Sequence, residues 1–252
     1  MGTPSVAVIL PAYNAGQTIS RAIESVLNQT YSDFNLYIVD DHSDDNTAEV
    51  IRSYEHLENV FIINHDVNKG VSEARNTGMK ASSEELVSFI DSDDEWHNQK
   101  LELQVEKIRS GYNIVFTAYN YIKNSSVKFI SFNDTEITLS EFIRKKFRVC
   151  FSSALIKRAE NGFTFQKLGH EDFLFIHEYM NYYGSAYIIP VALCNHFIQD
   201  DSLSSQKKKA AIWHYLILKK LYPRNVFMRL YLFSNYVYQA LKFKLTTGHN
   251  NV

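Results

Sequence analysis

Short apolar runs alternate with amphipathic patterns through the first hundred residues of the chain. Runs of four or five apolar residues are typical of strands buried on both faces, and they cover residues 6–10, 36–39, 60–63 and 86–90. Apolar residues at helical spacing lie between the runs and predict helices at residues 19–27, 47–54 and 71–80. Strands that alternate with helices predict β-α-β units and a largely parallel sheet.

The pattern becomes less regular in the second hundred residues. A helix is predicted at 99–109, a strand at 113–118, a helix near 140–146, a helix opening at 169–172 and a strand at 187–191. These elements predict one α/β domain at residues 1–201, with a mixed, mainly parallel sheet flanked by helices. Residues 1–96 and 97–201 would form its two halves, and residues 202–252 a C-terminal helical extension that Pro223 divides into two helices.

Composition separates the last fifty residues from the rest. Residues 202–252 carry nine Lys and Arg and no acid, whereas residues 1–201 carry all 28 acidic residues against 17 basic ones. The two cysteines, Cys150 and Cys194, lie in apolar runs, which predicts buried thiols in a reducing compartment. The start of the chain lacks the pattern of a secretory signal, so a cytoplasmic protein is expected.

Acidic residues gather where the predicted strands end. Ligands of parallel α/β sheets bind beyond the carboxyl ends of the strands, and here those ends read Pro-Ala-Tyr-Asn (11–14), Asp-Asp-His-Ser (40–43) and Asp-Ser-Asp-Asp (91–94). Four carboxylates follow residue 90, and like charges this close repel one another. Either they share a cation or they face water.

Three segments, in this order and spacing, resemble family 2 glycosyltransferases with the GT-A fold. They are Ile-Val-Asp-Asp-His-Ser-Asp-Asp at 38–45, Asn-Lys-Gly-Val-Ser-Glu-Ala-Arg-Asn-Thr-Gly at 68–78 and Asp-Ser-Asp at 91–93. The resemblance extends over most of the first 200 residues. It implies an inverting transferase of the bacterial surface-polysaccharide type, which moves a sugar from a UDP-sugar to a hydroxyl of a glycan, often lipid-linked.

The resemblance also implies roles on the donor side. Asp41 would accept a hydrogen bond from the uracil imide, a charge-assisted contact, and Asp93 would bind Mn²⁺ or Mg²⁺, which neutralises the leaving diphosphate. Asp91 would reach the ribose or a metal-bound water. The residues predicted to bind the nucleotide sugar are Pro11, Tyr13, Asp41, Arg75, Asp91 and Ser92.

Structural roles remain open for several of these acids and for Arg75. Asp40, Asp41 or Ser43 could cap the next helix, although Asp44, Asn46 or Thr47 lies nearer its start. Asp94 and Glu95 are expected to stabilise the start of the helix after the acidic segment. Arg75 would contact Asp91 or the diphosphate, or form a plain helical salt bridge.

On the acceptor side, the segment 169–173 matches the family's Glu-Asp motif. The match implies that Asp172 is the general base that deprotonates the acceptor hydroxyl, and that Glu171 contacts the acceptor or orients the site. Both acids could instead stabilise the start of a helix. The family's usual metal-binding histidine is replaced, and Gln199, His196 or Asp200 is the candidate third metal ligand.

The basic and aromatic extension fits the surface of an anionic membrane, which would give peripheral association at its inner face. Its apolar stripes could instead pack on the first domain or on a second subunit. Nothing else in the sequence supports nucleic-acid binding. Two other functions are compatible with the pattern: a nucleotidyltransferase that makes sugar nucleotides, and a non-catalytic partner that keeps the fold.

Overall fold

The structure, a computed structural model, describes residues 3–124, 126–132, 135–198 and 207–247. Its strands are β1 (Val6–Ala12), β2 (Phe34–Asp40), β3 (Val60–Asn64), β4 (Leu86–Phe89), β5 (Glu95–Trp96), β6 (Ile114–Lys123), β7 (Ser126–Ile130), β8 (Glu136–Ile137), β9 (Leu155–Lys157) and β10 (Ala186–Phe197). Its α-helices are α1 (Ile19–Leu27), α2 (Thr47–Arg52), α3 (Val71–Ala81), α4 (Lys100–Arg109), α5 (Leu139–Ile143), α6 (Glu171–Tyr183), α7 (Lys207–Leu221) and α8 (Val226–Thr247).

One mixed sheet connects the whole first domain. Its strand order is β3-β2-β1-β4-β9-β6-β10-β5, with β7 beside β6 and β8 beside β10. The strands β3, β2, β1 and β4 are mutually parallel, and β10 is parallel to β6. Because β9 is antiparallel to both β4 and β6, the carboxyl ends of β1, β2, β4, β6 and β10 lie at the same edge. The predicted fold class is therefore confirmed.

Helices cover both faces of this sheet. Along β1, Ala7 and Ile9 pack into one buried cluster, whereas Val8 and Leu10 pack into another. This alternation follows from the two-residue period of a strand, and it explains why the apolar run is continuous. Helix α3 approaches β1 so closely that a Cβ on Gly78 would lie 2.7 Å from the Ile9 side chain.

Helices α7 and α8 pack against the first domain through one face. Ile217, Leu218 and Leu232 belong to the same buried cluster as Phe173 of α6. The buried His214 ring stacks on Tyr236 with ring centroids 4.3 Å apart. The extension thus packs on the domain through this face, which is one of the alternatives to membrane binding that the sequence left open. The predicted boundary between residues 201 and 202 lies outside the described residues.

Candidate active site

The end of β2 is closed around Asp41, whose side chain is almost fully buried. Asp41 Oδ1 accepts hydrogen bonds from His65 Nδ1 (2.6 Å) and the Lys69 backbone N–H (2.8 Å), and Oδ2 accepts one from the Gly70 N–H (2.6 Å). A carboxylate offers about four acceptor positions, so one remains for a ligand. Recognition of uracil by Asp41 stays a prediction.

Asn46 is the N-cap residue of α2 but makes no capping hydrogen bond through its side chain, and Asp45, which the sequence did not single out, binds the start of the helix instead. Asp45 Oδ1 accepts the Thr47 backbone N–H at 2.9 Å, and Asp45 Oδ2 accepts the Gly16 N–H at 3.1 Å. The carboxylate thus fixes the start of α2 and ties it to the turn after β1. This hydrogen bonding leaves Asp41 without a capping role.

The end of β1 brings Pro11 and Tyr13 to the same edge. Pro11 is buried opposite Val39 of β2. The Tyr13 side chain is 48% exposed, although its neighbours in β1 are buried. An exposed aromatic ring at the end of β1 is suited to contact a flat ligand, and its role in nucleotide binding stays a prediction.

Arg75 joins the two halves of the site. Its Nη2 donates to Asp91 Oδ1 at 2.7 Å, and its Nη1 donates to Glu171 Oε1 at 3.0 Å. The guanidinium is buried and also lies over the Phe151 ring, 4.7 Å from its centroid. Burial disfavours the charged form of Arg75, but Asp91 and Glu171 outweigh it and raise the pKa of the guanidinium. The predicted contact with Asp91 is confirmed, and the contact with Glu171 is new.

Asp93 differs from Asp91 and Asp94 because its carboxylate forms no ion pair among the described residues, although attraction to His196 lowers its pKa somewhat. Among the described residues, no other side chain donates a hydrogen bond to its carboxylate, although Arg21 Nη2 donates to its backbone oxygen. Burial, together with the Asp94 and Asp91 carboxylates, raises the pKa of Asp93 to about 7. A crowded carboxylate with free oxygens fits a hard divalent cation. Ser92 lies between the two acids and is partly buried.

Asp94 has the opposite environment, and its predicted role is wrong. Its side chain is 0% exposed, and it accepts hydrogen bonds from Ser152 Oγ, from the Phe197 backbone N–H at 3.1 Å and from His196 Nδ1 at 3.0 Å. It therefore does not stabilise a helix start, and α4 begins only at Lys100. Its hydrogen bonds with His196 and Phe197 connect the acidic segment to β10.

Glu95 also lies outside any helix. It belongs to strand β5, which pairs with β10, and its carboxylate accepts a hydrogen bond from Asn195 Nδ2 at 2.8 Å. The prediction failed because an acidic pair before a helical pattern resembles a helix start. The local sequence carries no signal for strand pairing with residues a hundred positions later.

Helix α6 presents Glu171 and Asp172 at its first two positions. The two residues before it, Gly169 (φ 66°) and His170 (φ 51°), are in the left-handed region, which is unfavourable for a non-glycine residue. This sharp turn aims the start of α6 at Arg75. Burial raises the pKa of Glu171, and Asp172 adds to this rise while Arg75 opposes it.

Lys145 interacts electrostatically with Asp172, and the sequence did not indicate this. Its Nζ lies 3.9 Å from the centroid of the Phe173 ring. Burial lowers the pKa of Lys145 to about 8, although the Asp172 carboxylate opposes the shift. The Asp172 carboxylate itself accepts only the Phe173 N–H, at 2.7 Å, among the described hydrogen bonds. It is thus available to accept a proton from a ligand.

A model of the family described as Glycosyl transferase family 2 matches residues 7–162 of the chain. The chain belongs to glycosyl transferase family 2. Its sequence is 29% identical over 241 residues to UDP-Glc:alpha-D-GlcNAc-diphosphoundecaprenol beta-1,3-glucosyltransferase WfgD of Escherichia coli, and the match covers 94% of each chain. The resemblance inferred from the three motifs is therefore confirmed.

Two solved structures support the fold of this glycosyltransferase. Residues 1–349 of S. aureus TarS in complex with UDP-GlcNAc match with a TM-score of 0.72 and 21% identity, covering 86% of this chain and 66% of that chain. A mannosyltransferase, PcManGT, from Pyrobaculum calidifontis in complex with GDP-Man and Mn²⁺ matches with a TM-score of 0.67 and 18% identity, covering 87% and 65%. At these identities the likeness concerns the GT-A fold alone.

Of the three residues predicted as candidates for a further metal ligand, the structure describes one. Gln199 and Asp200 lie outside the described residues. His196 is described, and its Nδ1 faces Asp94. No short-range motif marks His65, Ser152 or Lys145, because His65 and Ser152 reach Asp41 and Asp94 from distant segments and Lys145 likewise reaches the Phe173 ring.

Proposed function

We propose that the chain transfers a sugar, with inversion, from a UDP-sugar to a hydroxyl of a lipid-linked glycan in the synthesis of a bacterial surface polysaccharide. The observation that carries this proposal is the Arg75 bridge between Asp91 and Glu171. It holds Asp91 of the donor side and Glu171 of α6 on one guanidinium. The name of the E. coli relative, with a UDP-sugar donor and a diphosphoundecaprenol acceptor, supports the same substrate classes.

The donor half would bind UDP between the ends of β1, β2 and β4. Asp41 offers its remaining acceptor position to the uracil imide, and Tyr13 offers a ring face to the base. Asp93, with Asp91 beside it, would hold Mn²⁺ or Mg²⁺ through carboxylate oxygens. When bound, this cation neutralises the negative charge that develops on the leaving diphosphate.

The acceptor half would supply the base. Asp172 takes the proton of the acceptor hydroxyl while the hydroxyl oxygen bonds to the anomeric carbon and the bond from that carbon to the diphosphate breaks. UDP leaves with the electron pair, and attack from the opposite face inverts the anomeric centre. Glu171, fixed by Arg75, orients the acceptor, and the nearby Lys145 contributes positive charge that attracts the Asp172 carboxylate.

A donor screen tests the reaction itself. The wild-type protein is incubated with Mn²⁺, a panel of UDP-sugars and a diphosphoundecaprenol-linked sugar acceptor, and the release of UDP is measured. Release with one donor that depends on the acceptor is expected. Absence of acceptor-dependent release with every donor, from a protein that binds UDP, would favour a non-catalytic partner instead.

Asp172→Asn tests the base. General-base catalysis is worth about 10²–10⁴ in rate, so transfer should fall by that factor while UDP binding, measured by calorimetry, stays nearly unchanged. Glu106→Gln, which changes an exposed acid on α4, is the matched control and should keep wild-type turnover. Normal turnover in Asp172→Asn would remove Asp172 from its role.

The outer face of α8 would bring the enzyme to its lipid-linked acceptor. Large apolar side chains recur on this face at helical spacing and are exposed, Phe227 by 87%; they are Phe227, Leu230, Tyr231, Tyr238, Leu241 and Leu245. None of the helices in the described ranges is long and apolar enough to span a membrane. An apolar stripe on a helix that lacks acidic residues fits the interface of an anionic bilayer.

Vesicle sedimentation tests this docking. The protein should sediment with phosphatidylglycerol vesicles and much less with phosphatidylcholine vesicles, and a Phe227→Ser, Leu241→Ser double variant should lose the binding. Val191→Ser, an exposed apolar position on β10, is the control. Equal binding of the double variant would contradict docking through α8, and self-association that the double variant abolishes would assign the stripe to a second copy.

A further inference from the structure

Three ligand-type side chains, one of them from the acidic segment, lie close together. The ligand atoms of Asp94, Cys150 and His196 all lie within 4.8 Å of one another. His196 Nδ1 is 3.0 Å from Asp94 Oδ1. Asp94 and Cys150 are buried, and the His196 side chain is mostly covered.

We propose that Asp94, Cys150 and His196 bind one thiophilic divalent cation of the Zn²⁺ class. This site is separate from the oxygen-ligand site at Asp93. Zn²⁺ binds thiolate sulfur at about 2.3 Å and imidazole nitrogen or carboxylate oxygen at about 2.0–2.2 Å, in a tetrahedral arrangement. These bond lengths place neighbouring ligand atoms roughly 3.5 Å apart, so small side-chain shifts would close the observed cluster around an ion.

Charge and ligand type both select this class of cation. A carboxylate and a thiolate carry two negative charges, and a neutral imidazole adds none, so a divalent ion leaves the buried cluster neutral. Buried charges are costly unless they are paired. Mg²⁺ and Mn²⁺ prefer oxygen ligands, whereas thiolate and imidazole together favour Zn²⁺. The donor-site cation would therefore not compete well for Cys150.

The residues around the cluster already orient its carboxylate. Ser152 Oγ donates to Asp94 Oδ2, and the Phe197 backbone N–H donates to Oδ1 at 3.1 Å. Ser152 Oγ also accepts the Asp91 backbone N–H at 3.2 Å. Hydrogen bonds of this kind hold metal-binding carboxylates in position. An ion here would join the segment after β4, the residue before the 3-10 turn Phe151–Ser153 and the end of β10. It would thereby fix the backbone that carries Asp91 and Asp93.

Cys194 provides the discriminating variant. Its thiol lies within hydrogen-bond reach of the Cys150 thiol, but it is not one of the three clustered ligands. Because the chain contains only two cysteines, Cys194→Ser leaves Cys150 as the single thiol. Any metal–thiolate signal in that variant must come from Cys150.

The experiment uses the full chain without UDP or acceptor, so its result does not depend on sugar transfer. The protein is stripped with a chelator and titrated with Co²⁺, and thiolate-to-cobalt charge-transfer absorption is recorded before Zn²⁺ is added. One equivalent of Co²⁺ should give this band in wild type and in Cys194→Ser, and one equivalent of Zn²⁺ should remove it. Asp93→Asn should keep the band, since its carboxylate belongs to the other site.

Two further variants measure the ligands. Cys150→Ser should lose the band, and Ser152→Ala should weaken Zn²⁺ binding about 10- to 100-fold, as for loss of a ligand-orienting hydrogen bond. Circular dichroism checks that each variant is folded. If Cys150→Ser does not fold, the Cys194→Ser spectrum shows whether the Cys150 thiolate binds the metal. Absence of the band in Cys194→Ser, binding of well under one equivalent by wild type, or loss of the band in Asp93→Asn would each overturn the proposal.

Discussion

The acidic ends of β2 and β4 flank the same strand, β1, and look alike in sequence, but they have opposite environments. At the end of β2, Asp41 receives three hydrogen bonds from His65 and from the backbone of Lys69 and Gly70. At the end of β4, Asp93 receives no hydrogen bond from another side chain among the described residues. The Asp41 carboxylate holds the backbone around it in place, whereas the Asp93 carboxylate is available to a ligand.

Asp41 and Asp93 differ because, among the described residues, hydrogen-bond donors from another segment reach only the Asp41 carboxylate. A buried carboxylate costs free energy unless hydrogen bonds or opposite charges compensate it, and the turn at residues 65–70 supplies such donors to Asp41. At Asp93, burial and the Asp94 and Asp91 carboxylates raise the pKa, and His196 opposes this rise only in part. An arrangement that stores repulsion in the free protein is typical of a site that binds a cation.

Asp93→Asn should give the largest effect and tests the contrast between Asp93 and Asp41 most directly. Loss of a group that stabilises transition-state charge costs about 10²–10³ or more in rate, so acceptor-dependent UDP release should fall by at least this factor. The free energy of unfolding of the metal-free protein should be unchanged or higher, because the substitution removes like-charge repulsion. Urea denaturation measures it, and a clear loss of stability would mean that Asp93 is structural.

Asp41→Asn should behave in the reverse way. An amide nitrogen would face at least one of the N–H donors that now bind the carboxylate, and an unsatisfied buried donor costs about 1–3 kcal/mol. We expect the free energy of unfolding to fall by about 2–3 kcal/mol, in addition to any loss of UDP affinity. Urea denaturation at neutral pH tests this, and wild-type stability would show that the three hydrogen bonds contribute little.

Asp45→Ala should have the smallest effect of the three. Removal of a capping side chain typically costs about 1 kcal/mol, so the urea midpoint should fall slightly while acceptor-dependent turnover stays at the wild-type level. This variant separates general damage to the β2–α2 segment from damage at Asp41. A large loss of turnover would indicate that the turn after β1, which Asp45 binds through Gly16, contributes to the site.

Much of the fold was predictable because its signals are local. The predicted strand at residues 36–39 lies within β2, and the predicted helix at 71–80 matches α3 nearly residue by residue. The opening of α6 at Glu171 was also correct. These segments are set by hydrophobic period and chain breakers, which act within a few residues. The segment after β4 was misjudged because Glu95–Trp96 becomes a strand only by pairing with β10.

The candidate site was predictable as a set of residues but not as an arrangement. The motifs predicted Arg75, Asp91 and Glu171 as site residues. Only folding brings Glu171 to the Arg75 guanidinium, which lies 96 positions earlier in the chain. The contact of Lys145 with the ring that follows Asp172 is of the same kind. Long-range contacts of this type depend on helix and strand packing, which a local pattern does not encode.

The local pattern was enough to predict acids at the carboxyl ends of parallel strands, because the apolar runs end in polar residues at definite positions. It also determined that the extension is basic. Only the tertiary structure decided which acid is satisfied and which is free: Asp41 and Asp94 are enclosed by donors from distant segments, whereas Asp93 has acids as neighbours. The physical reason is that hydrogen bonding and charge act over a few ångströms in space, whatever the separation along the chain.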